Sequence, residues 1–431
     1  MDICVVALGK IGLPLAVQYA SMGHRVRGAD INRELVDCIN RGEEPFPGEA
    51  DLAERLSTVV RDGSLTAGTD TTAAVADSDI VVVVVPLVVD SNAEPDYTAM
   101  DAATESIGKG IKPGTLVIYE TTLPVGTTRE RFTPRLAELS GTTPGEDLMV
   151  CFSPERVYSG RIFADLSKYP KIVGGIDDRS AAAAIAFYES VLSFDDRDDL
   201  DRPNGVWDVG TAEAAELVKL AETTYRDVNI GLANEFARYA RSNGIDIHSV
   251  IEAANSQPFS HLHQPGISVG GHCIPVYPRL YLSNDPGALL PAASRTTNER
   301  MPAWFADMLR AAMGGSLEGR RVLVAGLAYR GGVKEPAFSG TYPLVAALEA
   351  LGASVGVHDP LFTDAELAAE GFEPAQPGPG WEAVVLHTDH AEYLEWSPAD
   401  LPDASVVVDG RSFLDPQAWT AAGRSYLSIR P

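Results

Sequence analysis

The amino-acid sequence predicts an α/β protein with a doubly wound parallel sheet in its N-terminal part, a long central helix and a second α/β region at its C-terminal end. Three observations support this fold class. Short apolar segments alternate with helix-length segments over residues 3–174, an unbroken helical pattern covers residues 211–242, and the alternation returns after residue 320. Such alternation is typical of parallel sheets covered by helices.

The N-terminal elements follow from apolar runs between turn residues. The first strand is expected at residues 3–8, and the helix after it at residues 13–22, where Gly23 ends it. Further strands are expected at residues 25–29, 80–85, 115–119, 148–152 and 171–174. The longest apolar run, residues 80–89, contains Pro86 and has the composition of a fully buried parallel strand.

The central helix is the longest predicted element. Residues 211–242 are rich in Ala, Leu and Glu and lack Pro, and Asn243-Gly244 is a typical C-terminal cap. At 1.5 Å per residue the helix would be about 48 Å long, so it either bridges two domains or pairs with a second copy. Strands then follow at residues 321–327, 355–358, 383–386 and 406–408. We expect domains at residues 1–200, 201–300 and 301–431.

Composition excludes several classes of function. The chain has 431 residues and a formal net charge of −26, which repels nucleic acid and anionic membranes. Its apolar runs fall short of the ~18 residues of a membrane span, and the first strand begins at once without a signal segment, so we expect a cytoplasmic protein. The four cysteines lack metal-binding spacing, so neither a metal site nor a disulfide framework is expected.

The first turn resembles a dinucleotide-binding fingerprint. Gly9 and Gly12 would bring the backbone close to a pyrophosphate at the start of the next helix, although Ala7 stands where the first glycine is usual. Asp30 ends the second strand, where a carboxylate accepts ribose hydroxyls and disfavours a 2′-phosphate. The turn therefore predicts NAD rather than NADP, with a purely structural tight turn as the alternative.

Two segments predict nucleophilic chemistry. Cys273 follows Gly270 and Gly271 in a loop that must approach another group closely, and its thiol becomes a nucleophile if its pKa is lowered. Lys219 lies among apolar residues of the long helix, one turn before Thr223, where an ammonium can stabilise an oxyanion. The alternatives are a small buried cysteine and an exposed lysine.

Two further segments follow predicted strands. Hydroxyl-bearing residues 121–128 come after the strand at 115–119, at the edge where open α/β sheets bind ligands. The alternative is a helix start capped by Thr127 or Thr128. Glu155, in Ser153-Pro154-Glu155-Arg156, could act as general base toward water; the alternative is a solvated charge pair with Arg156.

Taken together, these segments resemble the nucleotide-sugar 6-dehydrogenases, the family of UDP-glucose and UDP-N-acetylhexosamine dehydrogenases. The resemblance covers nearly the whole chain and rests on residues 9–14, 122–128, 153–156, 219–222, 224–230 and 270–275. It implies an N-terminal Rossmann-type NAD domain, a central helical dimerisation region with the cysteine loop, and a C-terminal Rossmann-like UDP-binding domain. It also implies a UDP-sugar substrate and a homodimer formed through the long helix.

The resemblance further implies a four-electron oxidation. The C6 hydroxyl gives a hydride to NAD, the resulting aldehyde is captured by Cys273 as a thiohemiacetal, a second hydride transfer leaves a thioester, and water releases the uronic acid. Catalytic roles are implied for Cys273, Lys219, Glu155, Thr122, Thr223 and Tyr277. Cofactor contacts are implied for Gly9, Lys10, Ile11, Gly12, Asp30, Pro86, Thr122 and Lys334. Substrate contacts are implied for Glu155, Arg156, Lys219, Phe259, Gly270, Gly271, Arg330 and Arg411.

The chain departs from the family pattern at several of these positions. Thr223 replaces Asn, Tyr277 replaces Asp, Phe259 replaces an Arg donated across the dimer, and Leu87 replaces Thr. A rearranged pocket is therefore expected. Residues 224–234 look more like the N-acetylhexosamine branch of the family than the UDP-glucose branch, so an N-acetylhexosamine is slightly favoured over glucose. Two rival functions remain: a two-electron hydroxyacid dehydrogenase that uses Lys219 without the cysteine, and a catalytically degenerate nucleotide-sugar-binding protein.

Overall fold

The structure is a computed structural model that describes residues 1–90, 94–158 and 160–430. The chain divides into two compact units, and each is described by itself. The first unit comprises Met1–Glu222 with Arg279–Asn284, and the second comprises Thr223–Pro278 with Asp285–Pro431. The three expected domains, 1–200, 201–300 and 301–431, remain a prediction.

The first unit is built on an eight-stranded sheet whose strand order is β10-β9-β8-β7-β4-β1-β2-β3. Its strands, with the two of a small separate ladder, are β1 Asp2–Val6, β2 Arg25–Ala29, β3 Leu65–Gly68, β4 Ile80–Val83, β5 Val88–Val89, β6 Pro95–Asp96, β7 Thr115–Tyr119, β8 Leu148–Phe152, β9 Lys171–Gly175 and β10 Val206–Thr211. All pairs in the large sheet are parallel except β8 with β9. This antiparallel pair is a departure from the predicted parallel pattern.

Helices cover this sheet, whose central strands β1, β4, β7 and β8 are mostly apolar and buried. They are α1 Gly12–Ser21, α2 Arg33–Asn40, α3 Leu52–Arg61, α4 Thr71–Ala76, α5 Thr98–Gly110, α6 Thr133–Ser140, α7 Ile162–Lys168 and α8 Asp178–Val191, with a π-helical turn at Thr127–Phe132. One core cluster joins strand residues such as Val5 and Val82 to helix residues such as Leu13 and Phe187.

The apolar run at residues 80–89 does not form one buried strand, so that prediction was wrong. Strand β4 ends at Val83, Pro86 is exposed, and β5 pairs antiparallel with β6. Proline lacks the N–H that a central strand must donate, so the strand cannot continue through it.

The long helix α9, Ala212–Ser242, confirms the predicted central helix to within one residue. It begins in the first unit and ends in the second, where Gly244 adopts a positive φ of 69° after it. The next helices are α10 Ile247–Asn255, α11 Tyr277–Asn284 and α12 Leu289–Ala312. Within the described residues, none of the helices is long and apolar enough to cross a bilayer.

The second unit contains a five-stranded parallel sheet of order β12-β11-β13-β14-β15. Its remaining elements are β11 Arg321–Ala325, α13 Thr341–Ala350, β12 Ser354–His358, α14 Asp364–Ala369, β13 Ala383–Leu386, β14 Val406–Asp409, α15 Pro416–Ala421 and β15 Ser425–Ser428. Helix residues such as Phe305 and Leu344 pack with Val324 and Val385 in its core.

Candidate functional site

The turn after β1 has the geometry of a dinucleotide-binding turn. Ala7 adopts a positive φ of 73°, the left-handed conformation that a first glycine would otherwise provide. A Cβ on Gly12 would lie 2.0 Å from the Ala7 carbonyl oxygen, whereas a Cβ on Gly9 would meet nothing within 4 Å. Gly12 is therefore required for the close packing of α1, and the space at Gly9 is open to a ligand.

The start of α1 is suited to an anion. No side chain caps this helix and its first turn holds no acidic residue, whereas α2, α4 and α8 are capped by Asn32, Asp70 and Asp177. Asp30 accepts the Leu8 N–H on Oδ2 at 2.8 Å and the Asn32 N–H on Oδ1 at 2.9 Å. Since a carboxylate offers about four acceptor positions, Asp30 retains capacity for ribose hydroxyls. These residues fit NAD.

The second sheet contains a similar turn, but groups of the chain itself occupy the hydrogen-bonding positions of its carboxylate. Gly326 stands in the place of Ala7, with a φ of 109°, and Leu327 donates its N–H to Asp359 Oδ2 at 2.7 Å, as Leu8 does to Asp30. Asp359, however, also accepts bonds from two further backbone N–H groups and from His390 Nε2 at 3.1 Å. The acceptor capacity of Asp359 is used within the chain, so the first sheet is the one suited to a ribose.

His390 holds the loop that carries Arg330. The Gly332 N–H donates to His390 Nδ1 at 3.2 Å, so Nε2 carries the proton and donates it to Asp359. The Gly331 N–H donates to Asp389 Oδ1 at 3.0 Å. Arg330 itself is exposed, in a position to meet an anion.

The cysteine loop, residues 270–275, packs against the segment of the second unit that carries Arg330. A Cβ on Gly270 would lie 2.6 Å from Tyr329 Cβ, and Gly271, whose φ is 86°, donates its N–H to the Ala337 carbonyl at 2.9 Å. The glycines are thus needed for close approach to the chain itself. Cys273, which is partly exposed, lies in the turn before α11, and its backbone carbonyl accepts the Tyr277 N–H at 2.9 Å.

The other cysteines differ from Cys273. Cys4 and Cys151 are fully buried, and burial raises the pKa of the Cys4 thiol to about 12. Cys38 is half-buried, and its thiol donates to the Glu43 carbonyl at 3.4 Å. Cys273 is therefore the cysteine placed in a loop shaped by glycines, which is where a nucleophile is expected.

The C-terminal cations have distinct surroundings. Arg411 donates to the His387 carbonyl at 2.8 Å and to the Tyr329 carbonyl at 3.3 Å, so it lies beside the loop that carries Arg330. Burial lowers the pKa of Arg411. Lys334, in contrast, forms an ion pair with Glu366 at 2.6 Å, and its predicted cofactor contact remains a prediction.

Glu216, which the sequence analysis missed, joins two predicted parts of the first unit. From α9 it accepts the Gly126 N–H at 2.6 Å, the Thr128 N–H at 2.9 Å and the Thr128 hydroxyl at 2.7 Å. It thereby fixes the loop of Thr122, which is buried, to the helix that carries Lys219. Burial raises the pKa of Glu216 to about 7. The alternative, a helix start capped by Thr127 or Thr128, is not found.

Glu155 is held by groups that the sequence did not indicate. Its Oε1 accepts the Arg156 N–H at 2.6 Å and the Val157 N–H at 3.2 Å, and its Oε2 accepts from Lys171 at 2.9 Å. The Arg156 side chain binds Glu222 at 2.8 Å instead. Glu155 and Arg156 therefore do not form the solvated pair that was the alternative.

The remaining predicted residues lie on several different elements. Lys219 and Thr223 are buried one turn apart on α9, Tyr277 begins α11, and Phe259 is 89% exposed in a turn after α10. Lys10 and Pro86 are exposed and Ile11 packs partly against the core. In the described part of the chain, no group of three or more His, Cys, Asp or Glu residues could hold a metal ion.

Comparison with known proteins identifies the family. Three models of the UDP-glucose/GDP-mannose dehydrogenase family match this chain: the NAD binding domain at residues 1–192, the central domain at 213–297 and the UDP binding domain at 323–416. The UDP-N-acetyl-D-mannosamine dehydrogenase of Pyrococcus horikoshii is 35% identical over 425 residues, which is 96% of each chain. The Escherichia coli K12 enzyme of the same name is 37% identical over 319 residues, 72% of each chain.

Solved structures agree with these sequence relatives. The UDP-D-ManNAc dehydrogenase from Pyrococcus horikoshii superposes with a TM-score of 0.88 at 32% identity, over 100% of this chain and 99% of the other. A UDP-glucose dehydrogenase from Pyrobaculum islandicum has a TM-score of 0.85 at 27% identity, over 99% and 97%. The predicted fold class, family and cofactor are confirmed. The chain belongs to the UDP-glucose/GDP-mannose dehydrogenase family, whose members are nucleotide-sugar dehydrogenases, and its cofactor is NAD.

Proposed function

We propose that this protein oxidises the C6 hydroxyl of a UDP-sugar to a carboxylate in two NAD-dependent steps, with Cys273 holding the half-oxidised sugar. One observation carries this proposal. Cys273 lies partly exposed in a glycine-shaped turn that packs on the segment of the UDP-binding domain carrying Arg330. A thiol in that position can receive the end of a substrate whose phosphates are bound by the same domain.

The electron balance explains why a covalent intermediate is useful. Oxidation of the alcohol to the aldehyde removes two electrons and two protons, and addition of the Cys273 thiol gives a thiohemiacetal whose carbon again carries a hydrogen. Removal of that hydrogen as hydride, with loss of the hydroxyl proton, leaves a thioester, and water cleaves the C–S bond to give the acid and the free thiol. NAD, when bound, accepts the hydride in each oxidation.

The chain's own residues have separable roles in this scheme. Lys219, buried on α9, would stabilise the negative charge on the substrate oxygen. Thr122 would order the reacting centre from a loop that Glu216 holds rigid. Glu155, fixed on both oxygens, would orient the attacking water. Thr223 and Tyr277 would line the pocket in place of the usual Asn and Asp.

The substrate is proposed to be a UDP-N-acetylhexosamine. Relatives that cover nearly the whole chain are named UDP-N-acetyl-D-mannosamine dehydrogenases, while a structural relative of similar TM-score is named a UDP-glucose dehydrogenase. Arg330 and Arg411 are the proposed phosphate ligands, since guanidinium groups bind phosphate in a bidentate manner. Arg156, Gly270 and Gly271 are proposed to line the sugar site. The predicted cytoplasmic location remains a prediction.

We also propose a homodimer built on α9. Five apolar side chains of this helix are 42–68% exposed, and their spacing places them along one stripe: Leu217, Tyr225, Leu232, Phe236 and Tyr239. Buried against a second copy, such a stripe would form a continuous apolar interface. Phe259, itself 89% exposed, would then face the partner protomer as the predicted replacement for the usual Arg.

The test is a count of NADH per sugar. The purified protein is incubated with NAD and, in turn, UDP-N-acetylmannosamine, UDP-N-acetylglucosamine, UDP-glucose and UDP-galactose, with absorbance and mass spectrometry as readouts. Two NADH per uronic acid, with greatest kcat/KM on an N-acetylhexosamine, is expected. One NADH and no acid would support the hydroxyacid dehydrogenase type of chemistry, and tight binding without NADH would support a degenerate binding protein.

A further inference from the structure

Three ionisable side chains meet at one edge of the eight-stranded sheet, and two of them were not indicated by the sequence. Glu120 directly follows β7, Glu155 follows β8, and Lys171 is the first residue of β9. The Lys171 ammonium lies 2.9 Å from Glu155 Oε2 and 3.2 Å from Glu120 Oε2. Their side chains are 5% exposed for Lys171, 12% for Glu155 and 0% for Glu120.

The antiparallel strand β9 is what creates this cluster. In the β8–β9 ladder Cys151 pairs with Gly175 and Phe152 with Gly174. Continuing that register by three residues places Glu155 opposite Lys171. In a fully parallel sheet the first residue of β9 would lie at the far edge, away from the ends of β7 and β8.

Glu120 is held on its other side as well. Its Oε1 accepts the Tyr188 hydroxyl at 2.5 Å and the Tyr19 hydroxyl at 3.3 Å. The Lys171 ammonium also lies 4.7 Å from the centre of the Tyr188 ring, a cation–π contact. Glu120 and Lys171 are thus immobilised by packing and hydrogen bonds from α1 and α8, and Glu155 is the most exposed member of the three.

The charges in the cluster are unequal. Burial raises the pKa of Glu120. Burial also acts to raise the pKa of Glu155, but the Lys171 ammonium overcomes this effect and the pKa of Glu155 falls below its ordinary value. The charged or titratable groups that face Glu155 and its partners include Lys171 from β9, Glu120 from the end of β7, Cys151 from β8, Tyr19 from α1, Tyr188 from α8 and Lys219 from α9.

We propose that Lys171 and Glu120 are positioning residues: the Lys171 ammonium keeps Glu155 ionised and fixed in one orientation, and Glu120 holds that ammonium in place, so that Glu155 serves the hydrolytic step as a hydrogen-bond acceptor for water. This inference rests on the function proposed above. Both Glu155 oxygens are bound by the chain, Oε1 by two backbone N–H groups and Oε2 by Lys171, which leaves its remaining lone pairs in set directions. Such preorganisation is what an oriented water requires.

The experiment compares the pH dependence of kcat in five variants with UDP-N-acetylmannosamine and NAD: Lys171→Met, Lys171→Arg, Glu120→Gln, the double variant Lys171→Met/Glu120→Gln, and Glu155→Gln. Lys112→Met is the matched control, because Lys112 forms an exposed ion pair with Asp79 at 3.2 Å, away from Glu155. Thermal unfolding of each variant separates loss of folding from loss of positioning.

We expect the variants to differ in the pH at which kcat falls on the acidic side of the profile, here called the acid limb. In Lys171→Met the limb moves up by about one pH unit or more, because an opposite charge within ~4–6 Å shifts a carboxyl pKa by that amount. The double variant lies between Lys171→Met and wild type, because the repelling carboxylate is also gone. Lys171→Arg and Glu120→Gln keep the limb at or below that of wild type, and both KM values stay within about twofold, since neither residue is proposed to touch a substrate.

Three outcomes would overturn the inference while leaving the proposed function intact: an unshifted limb in folded Lys171→Met, a limb that persists in Glu155→Gln, or inactive folded Lys171→Arg, where the retained charge must restore activity. Lack of NADH formation by the wild-type protein with every UDP-sugar would instead overturn the proposed function, and the positioning role with it.

Discussion

Replacing Glu216 by Gln tests how a buried carboxylate couples stability to pH. Glu216 is fully buried on α9 and accepts three hydrogen bonds from Gly126 and Thr128. Burial raises its pKa from the ordinary 4.5 to about 7. The folded protein therefore holds this proton more tightly than the unfolded chain does.

The sign and size of the effect follow from linkage. Because the folded-state pKa is raised, the stabilisation is fully present below pH 4.5 and is lost as the pH rises through about 7. At ~1.4 kcal/mol per pKa unit, the difference between 4.5 and 7 corresponds to about 3.5 kcal/mol. Between pH 5 and pH 8 the free energy of unfolding of wild type, relative to Glu216→Gln, should therefore fall by about 2–3 kcal/mol.

The assay is urea unfolding of both proteins at intervals across that pH range, with Glu130→Gln as the control. Glu130 is exposed beside the same loop, so its replacement should leave the pH dependence of wild type unchanged. A difference between wild type and Glu216→Gln that stays constant with pH would refute the reasoning.

Three other predictions concern the fold and the assembly. Ala7→Gly should stabilise the protein by about 0.5–1 kcal/mol, because relief of the left-handed Ala7 backbone exceeds the added entropy of the unfolded chain; an unchanged or lower Tm would contradict this. Leu232→Asp on the α9 stripe should convert a dimer to a monomer in light scattering, whereas Leu394→Asp, at a site 56% exposed outside the stripe, should not. His390→Leu should cost about 1–3 kcal/mol by removing a buried donor to Asp359, and should raise KM for the UDP-sugar more than KM for NAD; equal KM values would count against a role in holding the loop.

The sequence predicted the fold best where strands are continuously apolar. The strands at Thr115–Tyr119, Leu148–Phe152 and Ala383–Leu386 were placed to the residue, and α9 to within one residue, because one helical period runs through it without interruption. The strand at Arg25–Ala29 was also placed to the residue, although it contains two arginines. Missed elements have mixed composition: α12 contains Pro302 and many polar residues, and β15 is a short strand at the end of its sheet. These elements are stabilised by packing against residues distant in the sequence, which the local hydrophobic pattern does not show.

The site was predictable as far as its motifs reach. The turn at Gly9–Gly12 and the cysteine loop each consist of residues that are consecutive in the sequence, so the sequence alone indicates them. Lys171, Glu120 and Glu216 were missed, because each meets its partner only through strand order or through packing of α9 on a distant loop. A lysine at the start of an apolar strand was the one available signal for Lys171, and its partners depend on the antiparallel register of β9.

The central claim, that a sulfur atom carries the substrate between two oxidations, is tested most directly by peptide mass spectrometry. Glu155→Gln, which should slow hydrolysis, is mixed with NAD and UDP-N-acetylmannosamine, quenched in acid and digested. A sugar-nucleotide acyl adduct on the peptide containing Cys273, absent from Cys273→Ser and from the peptide containing Cys38, is the predicted result. Full conversion to the acid by Cys273→Ser, with two NADH per sugar, would contradict it.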